Sequence, residues 1–376
     1  MPFDFGALRR RPDVEGRGLE ASDAADRLIL DEAAGLIGDA GPGEIVVVDD
    51  SYGALALGAA AAGARDVRVH QDLVTGARAL AMNAEHAGLA GAVRPMPLGP
   101  ELFSRARLVL LRLPRSLDRL DELAGLMAGA ASSDVVLVAG GRIKHMSLAM
   151  NEVLAAWFDR VDVSHARQKS RVLTARGPRT QRSPGAPGWP RGERHDDLGV
   201  TVVAHGGVFA GAGVDIGTRF LLEQLHAAVP DAPTAVDLAC GTGVVAAWLA
   251  RTRPALRVTA TDRSAAAAAS ARLTAEANDL ADRVHVTQAD GLEQLGDASE
   301  RLIVLNPPFH SEAALHTGIA AHLFADAARV LEPGGELWCV WNSHLRYRPL
   351  LERVVGPTRQ VARNAKFTVT ASERAR

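Results

Sequence analysis

An internal repeat constrains this chain of 376 residues more than any other feature of it. At an offset of about 190 residues the pattern of the first half returns in the second. Glu44-Ile-Val-Val-Val-Asp49-Asp50, followed by Gly53, is answered by Ala235-Val-Asp237 and Gly241. Val67-Arg-Val-His-Gln-Asp72 is answered by Val258-Thr-Ala-Thr-Asp262, and the helical segment 76–89 by 265–280. Further on, Leu108-Val-Leu-Leu-Arg-Leu-Pro-Arg115 stands where Leu302-Ile-Val-Leu-Asn-Pro-Pro-Phe309 stands, and 135–139 parallels 337–340. Short apolar runs alternating with helix-length segments predict a mostly parallel, doubly wound sheet in each half. The expected fold is α/β, with two tandem domains from one duplication.

A hydrophobic content of 47% is enough to fill two such cores. Arg176 to Pro190 is rich in proline and glycine, which suits neither a helix nor a central strand. The expected organisation is a first domain over 1–175, a basic Pro/Gly-rich linker over 176–199 and a second domain over 200–376. From Arg160 to Arg194 nine Lys or Arg stand against two acids, and from 346 to 376 eight against two, in a chain of net charge −2. Distribution matters more than the sum, so both stretches are candidate phosphate contacts. The two cysteines, Cys240 and Cys339, follow no metal-ligand or redox spacing and read as small buried hydrophobes, so neither a metal nor a disulfide is expected. No apolar run reaches membrane-spanning length and Met1-Pro-Phe-Asp-Phe lacks the features of a signal peptide, so the expected location is the cytoplasm.

Ala235-Val-Asp-Leu-Ala-Cys-Gly-Thr-Gly243 reads as a strand running into a glycine turn, with a helical segment after it. Gly241 and Gly243 supply Cβ-free backbone that a ligand can approach closely. Gly241-Thr-Gly243-Val-Val-Ala246 also fits a dinucleotide fingerprint, with Asp262 ending the next strand, so a nicotinamide enzyme is a rival reading. Asp237 weighs against it, because a carboxylate there attracts an ammonium, such as that of the methionyl group of S-adenosylmethionine (SAM), and repels a pyrophosphate. Asp262 can hold ribose hydroxyls in either case. Asp290, after the third strand, can accept from an adenine amine or serve as an ordinary turn residue.

Asn306-Pro307-Pro308-Phe309 closes the apolar run 301–305 at the fourth strand end. An Asn side-chain oxygen and the Pro307 carbonyl can both accept from an exocyclic amine and aim its lone pair outward, while Phe309 offers a stacking face. Pro-Pro is also a common way to stop a strand. The pairing with the glycine turn about 70 residues earlier is more specific than either motif, and it points to amino-group methylation.

With these motifs the second half resembles the class I SAM-dependent methyltransferases. More narrowly it is similar to the bacterial ribosomal RNA guanine-N2 methyltransferases. That match is carried by Val208-Phe-Ala-Gly-Ala-Gly-Val-Asp-Ile-Gly-Thr-Arg-Phe220, Asn306-Pro-Pro-Phe-His310, Gly335-Glu-Leu-Trp-Cys-Val-Trp-Asn342 with His344-Leu-Arg-Tyr347, and Asn364-Ala-Lys-Phe367. Asp49-Asp-Ser-Tyr-Gly-Ala-Leu55 and Asp215-Ile-Gly-Thr-Arg219 look more like the large-subunit (23S) enzyme than its small-subunit (16S) relative. The resemblance implies two Rossmann-like domains and methyl transfer from SAM to the exocyclic N2 of a guanine in ribosomal RNA. It implies Asn306, Pro307 and Phe309 at the reacting amine, and SAM held by Asp237, Gly241, Gly243, Asp262, Asp290 and Asn306. Pro308, His310, Lys366 and Phe367 are its substrate-side candidates, with Phe367 as a wall for the base and His310 as an RNA hydrogen-bonding group or a plain loop residue. Trp338 and Trp341, at strand spacing, read as packing.

The first copy lacks the chemistry. Ser51-Tyr-Gly-Ala-Leu55 replaces the two-glycine turn and Arg112-Leu-Pro-Arg115 replaces Asn-Pro-Pro-Phe, so one active site is expected, with the first domain serving RNA recognition or acting as a scaffold. Three alternatives stand beside the main reading: a small-subunit rRNA enzyme, a noncatalytic RNA-binding or assembly factor, and an amino methyltransferase acting on protein glutamine or DNA adenine.

Overall fold

The computed structural model describes residues 3–16, 18–180, 188–308 and 313–375. The valine- and leucine-rich runs become strands and the alanine- and leucine-rich segments between them become helices, in two units, Met1–Trp189 and Pro190–Arg376. The first unit runs α1 (Ala24–Asp39), β1 (Ile45–Val48), α2 (Ala54–Ala61), β2 (Val67–His70), α3 (Val74–His86), β3 (Val93–Pro95), α4 (Pro100–Phe103), β4 (Leu108–Arg112), α5 (Leu117–Ala130), β5 (Val136–Arg142), α6 (Leu148–Trp157), β6 (Phe158–Val163) and β7 (Ser170–Pro178). The second runs β8 (Arg191–His195), β9 (Val200–Ala204), α7 (Ile216–Leu222), β10 (Thr234–Leu238), α8 (Val244–Thr252), β11 (Arg257–Asp262), α9 (Ala265–Glu276), β12 (Val284–Gln288), β13 (Glu300–Leu305), α10 (Ala313–Val330), β14 (Leu331–Asn342), α11 (Arg348–Val354), β15 (Thr358–Arg363) and β16 (Phe367–Glu373).

Each unit holds a seven-stranded sheet in the same order, β3-β2-β1-β4-β5-β7-β6 and β12-β11-β10-β13-β14-β16-β15. All neighbours are parallel except β7 and β16, which run antiparallel to the strands on both sides of them. The central strands are buried on both faces, which is why they read as unbroken apolar runs. Apolar clusters form on each side of both sheets, Cys240 and Cys339 among them, and Trp338 and Trp341 are 1% and 2% exposed. The strand order reverses between β1 and β4 and between β10 and β13, and the crevice outside their carboxyl ends is where such sheets place ligands.

The segment expected to be a linker over 176–199 is partly strand. β7 continues through Arg176 to Pro178, and β8 pairs antiparallel with β9. Proline is tolerated at 178 because β5 pairs with β7 only as far as Arg176, so the last residues of β7 have a neighbour on one side alone. Much of the positive charge in this stretch is engaged: Arg160 and Arg176 pair with Asp162, Arg179 with Asp159, and Arg167 with Asp31. In the tail, Arg359 pairs with Glu336 and Arg348 with Glu352, while Arg374 donates to the Arg329 carbonyl.

The free edge of β9 is satisfied by a polar stripe along α9 and the turn that follows it. Ser270 accepts from His205 N–H at 2.9 Å, Thr274 bonds both backbone groups of Val203 at 3.0 and 3.2 Å, and Asn278 bonds both of Thr201 at 2.9 and 2.7 Å. Residues four apart share one face of a helix, so these three side chains act as a substitute strand edge.

Candidate functional site

The glycine turn after β10 is built from left-handed backbone, with Ala239, Gly241 and Gly243 at φ 56°, 55° and 73°. Cys240 N–H donates to the Thr261 carbonyl at 2.9 Å, fastening the turn to β11. The two glycines serve different ends. A Cβ on Gly243 would lie 2.8 Å from the Ala271 Cβ, so this glycine lets α8 and α9 approach. A Cβ on Gly241 would meet nothing within 4 Å, so its backbone faces open space at the strand ends.

Two carboxylates flank that space. Asp237 is 3% exposed, and its Oδ2 accepts from Ala246 N–H at 2.9 Å, capping the first turn of α8. Burial pushes its carboxyl well above the ordinary range; the Ala246 N–H offsets part of this, and the charge of Asp262 adds to it. Asp262 is held from both sides, Oδ2 accepting from Gly241 N–H and Oδ1 from Ser264 N–H, each at 2.9 Å. An arriving cation relieves the repulsion between the two acids. Asp290, beyond β12, has His322 of α10 at 3.6 Å, and the bond to Asp290 holds the His322 imidazole above its ordinary value. Asp326 of the same helix accepts from Leu292 N–H at 2.8 Å, so α10 fixes the loop that carries Asp290.

Asn306 follows β13. Its amide Nδ2 donates to Thr218 Oγ1 at 2.9 Å, while Oδ1 is buried with no hydrogen-bond partner among the described residues. A buried acceptor without a donor costs free energy, and such an atom in a native fold calls for a ligand, a water or a role. Thr218 sits in the first turn of α7, where the N-cap Asp215 accepts from Gly217 and Thr218 N–H at 2.8 and 3.2 Å. Pro307 is buried and Pro308 exposed. Phe309 and His310 lie outside the described residues.

The Phe367 ring, expected as a wall for the base, is 3% exposed and sits in the apolar core, with its edge 2.9 Å from where a Gly217 Cβ would be. It shapes the site by setting the height of α7, because as the first residue of a strand paired with Asn342 its side chain points into the core. Lys366 is exposed, its Nζ 5.1 Å from the Phe367 ring centre. The sheet therefore brings Asp237, Gly241, Gly243, Asp262, Asp290 and Asn306 to neighbouring strand ends, with Lys366 on the adjoining hairpin. Sequence reasoning passed over Thr218 and His322. Asp215, an N-cap residue type, starts α7 and so places the first in its opening turn; nothing local marks the second, which reaches Asp290 across 32 residues.

Open backbone at Gly241, a pair of acids and an orphaned amide oxygen fit a cationic, nucleoside-bearing methyl donor and an amine acceptor. Among the described residues no group of three or more His, Cys, Asp or Glu side chains is placed to hold a metal ion.

Residues 199–371 match the family model of the methyltransferase small domain, and residues 2–179 that of the RLMG N-terminal domain. The chain is 36% identical over 375 residues, 98% of each chain, to "Ribosomal RNA large subunit methyltransferase G" of Streptomyces coelicolor. It is 33% identical over 370 residues to the protein of that name from Pseudomonas paraeruginosa, covering 98% of this chain and 97% of the relative. Among solved structures, a T. Thermophilus 16S rRNA N2 methyltransferase in complex with AdoMet and guanosine superposes with a TM-score of 0.72 at 24% identity, over 96% of this chain and 97% of that one, which shows a shared fold.

Proposed function

This chain belongs to the ribosomal RNA large subunit methyltransferase G family, and from that premise we propose that its C-terminal unit transfers the methyl group of SAM to the exocyclic N2 of a guanine in large-subunit (23S) ribosomal RNA. The observation that carries the reading is the buried, unpartnered Oδ1 of Asn306. An amine arriving there donates to Oδ1, and with the Pro307 carbonyl as a second acceptor its nitrogen lone pair is held pointing away from both. The nitrogen that takes the methyl group becomes positive until it gives up one of its protons to solvent, the sulfur leaving as a neutral thioether, and acceptors already in place stabilise that charge without reorganisation.

When bound, SAM supplies an electrophilic methyl group on a sulfonium. The residues that would hold it are Asp237 near its ammonium, Gly241 where the backbone is open to it, Asp262 at its ribose hydroxyls and Asp290 at its adenine amine, with Gly243 keeping the turn in place and Asn306 beside the methyl. Phe309 stacks on the guanine, which must be unpaired or turned out of its helix to enter. Pro308, His310 and Lys366 contact the RNA, and Phe367 supports the pocket through Gly217. Catalysis belongs to residues 200–376, and residues 1–175 serve recognition of the RNA. Work on ribosomal RNA puts the protein in the cytoplasm, and no helix among the described residues is long and apolar enough to cross a membrane.

The test is labelled-methyl transfer from SAM to ribosomal RNAs and subunits from a strain lacking this protein, followed by nucleoside analysis. N2-methylguanosine in large-subunit RNA, lost with Asn306→Ala while SAM still binds, is the expected result. Label in small-subunit RNA would keep the chemistry and move the substrate. Failure to label any RNA by a SAM-binding protein would overturn the reading in favour of another amine.

A further inference from the structure

The inside of the N-terminal crevice is filled by its own charges. Arg112 is tied to Asp23 and Asp26 at 2.9 and 3.0 Å, Arg119 lies 3.4 Å from Asp49, and Asp50 accepts from Gly53, Leu55 and Ala56 N–H at the start of α2. Its rim is another matter. Three neighbouring strand ends join there: Leu113 N–H, after β4, donates to the Gly140 carbonyl, and Ile143 N–H, after β5, donates to the Lys169 carbonyl of the β6–β7 turn, both at 2.9 Å. Arg115, Lys144, His145 and Lys169 stand exposed on these ends, and the Arg115 guanidinium donates to His145 Nε2 at 3.4 Å.

We propose that this rim of the N-terminal unit is a phosphate-contacting surface for ribosomal RNA, formed by Arg115, Lys144, His145 and Lys169. The proposal rests on the rRNA reading and adds the surface by which the inactive unit takes part in it. Two independent features support it. First, the two units present a lysine at the same place: Lys169 accepts from Ile143 N–H as Lys366 accepts from Ser343 N–H, at 2.9 and 2.8 Å, and each lysine immediately precedes the strand antiparallel to its neighbours. The first copy has lost the amine acceptor but keeps the cation. Second, Lys169 keeps its place against the local backbone preference. Arg167 and Ser170 exchange both backbone hydrogen bonds around a two-residue turn whose central residues, Gln168 and Lys169, have φ 49° and 59°. Asn-Gly forms such a turn with less strain. In the second unit the corresponding turn is made by the Asn364 side chain, which accepts from Lys366 and Phe367 N–H at 2.9 and 2.7 Å, and no left-handed lysine is needed.

Phosphate oxygens suit these side chains. Among the described residues no carboxylate stands within ion-pair distance of Arg115 or Lys169, and phosphates bound along the rim would gain a charge-assisted hydrogen bond from each. Asp118, the nearest acid to Arg115 along the chain, lies in the first turn of α5 and has a partner of its own.

The experiment is filter binding of the full-length protein to large-subunit rRNA from a strain lacking it, across a series of salt concentrations. It compares wild type with Arg115→Gln/Lys169→Gln and with Arg65→Gln/Arg105→Gln, a control pair of exposed cations that precede β2 and β4 at the amino ends of the strands, opposite the rim. The rim pair should weaken binding roughly tenfold and lower the slope of log affinity against log salt by about 1.4, two phosphate contacts to single-stranded RNA at about 0.7 each. SAM affinity and melting temperature should not move, and Arg115→Lys/Lys169→Arg should bind like wild type. Equal losses from the rim and control pairs, or no loss from the rim pair, would overturn the surface while leaving the rRNA reading intact. A wild-type protein that neither binds nor methylates rRNA would remove the reading and the surface together.

Discussion

Asn306 and Arg112 occupy the same place in the two sheets, each one residue past the leucine, Leu305 or Leu111, that pairs with Leu238 or Val48. Each reaches the third residue after the N-cap of the preceding helix: Asn306 touches Thr218, counted from Asp215, and Arg112 touches Asp26, counted from Asp23. The backbone beneath is shared down to its least common angles. Asp49, Ser51 and Gly53 have φ 56°, 63° and 100°, in the pattern of Ala239, Gly241 and Gly243. What differs is chemistry at fixed points. An amide with a free oxygen became a guanidinium locked between two acids, Asp262 became Gln71 and Asp237 became Val47. The cap on the first helical turn, made by Asp237 to Ala246, passed to Asp50, which reaches Ala56 from three residues further along. Nothing in the fold had to change for the site to be lost, so activity in this architecture resides in side chains at strand ends.

The comparison is broken most severely at Arg112. Replacing it by the asparagine of the other unit leaves Asp23, Asp26 and Asp50 facing one another without their cation, in a place where burial already pushes the Asp50 carboxyl to about 7. Removing one partner of a buried ion pair typically costs about 3–5 kcal/mol. Arg112→Asn should lower the stability of the N-terminal unit by that order in denaturant unfolding, and a loss below about 1 kcal/mol would mean that water reaches the acids. The reverse exchange acts on rate. Asn306→Ala or Asn306→Arg should leave SAM affinity nearly unchanged and cut methyl transfer by about 10²–10³ or more, the usual effect of losing one preorganised hydrogen-bonding group at the reacting atom. Parallel losses in SAM affinity would show that Asn306 serves the cofactor instead.

Two smaller exchanges sharpen the same contrast. Asp262→Gln imports Gln71 and removes a charged acceptor, so SAM affinity by calorimetry should fall about 10- to 100-fold, with kcat at saturation little altered. Thr218→Val removes the acceptor that orients the Asn306 amide; kcat should drop about tenfold with the KM for SAM unchanged, and Thr218→Ser should restore it. If Thr218→Val behaves as wild type, the amide is held by its packing alone.

Much of this was legible in the sequence, because the duplication, the glycine turn and the Asn-Pro-Pro-Phe segment are local patterns tied to strand ends. The register between copies was not. Matching acid to acid aligns Asp49 or Asp50 with Asp237, Gly53 with Gly241 and Asp72 with Asp262. The pairing of strands and the left-handed angles align Val47 with Asp237, Ser51 with Gly241, Gly53 with Gly243 and Gln71 with Asp262. Residue type misleads here because a degenerating site keeps its backbone and changes its charges. Gly53 and Gly243 confirm the structural register, since a Cβ on either would lie 2.8 Å from the corresponding α3 or α9 side chain, Leu80 or Ala271. Strand β8, Arg-Gly-Glu-Arg-His, was illegible for another reason: in this two-stranded edge only His195 is buried, too little to impose alternation, so it carries the composition of a linker.

The finest test concerns the acid that only the second unit has in this position. Asp237 is buried beside Asp262, and both burial and that neighbour favour its protonated form in the ligand-free protein. A cationic ligand favours the ionised form, so binding must release a proton wherever Asp237 is still protonated, and affinity must rise with pH until the carboxyl ionises unaided. The sign is opposite for folding: with a folded pKa above the unfolded one, ionisation of Asp237 lowers stability as pH rises from the ordinary carboxylate range through its raised value. SAM affinity should therefore climb with pH, relative to Asp237→Asn measured in the same buffers, while the melting temperature of wild type falls relative to that variant over the same interval. The variant divides out titration of the amino group of SAM itself. A ratio of affinities that stays flat across pH would mean that Asp237 is ionised before the ligand arrives, and that its bond to Ala246, rather than its charge, is what the second unit retains it for.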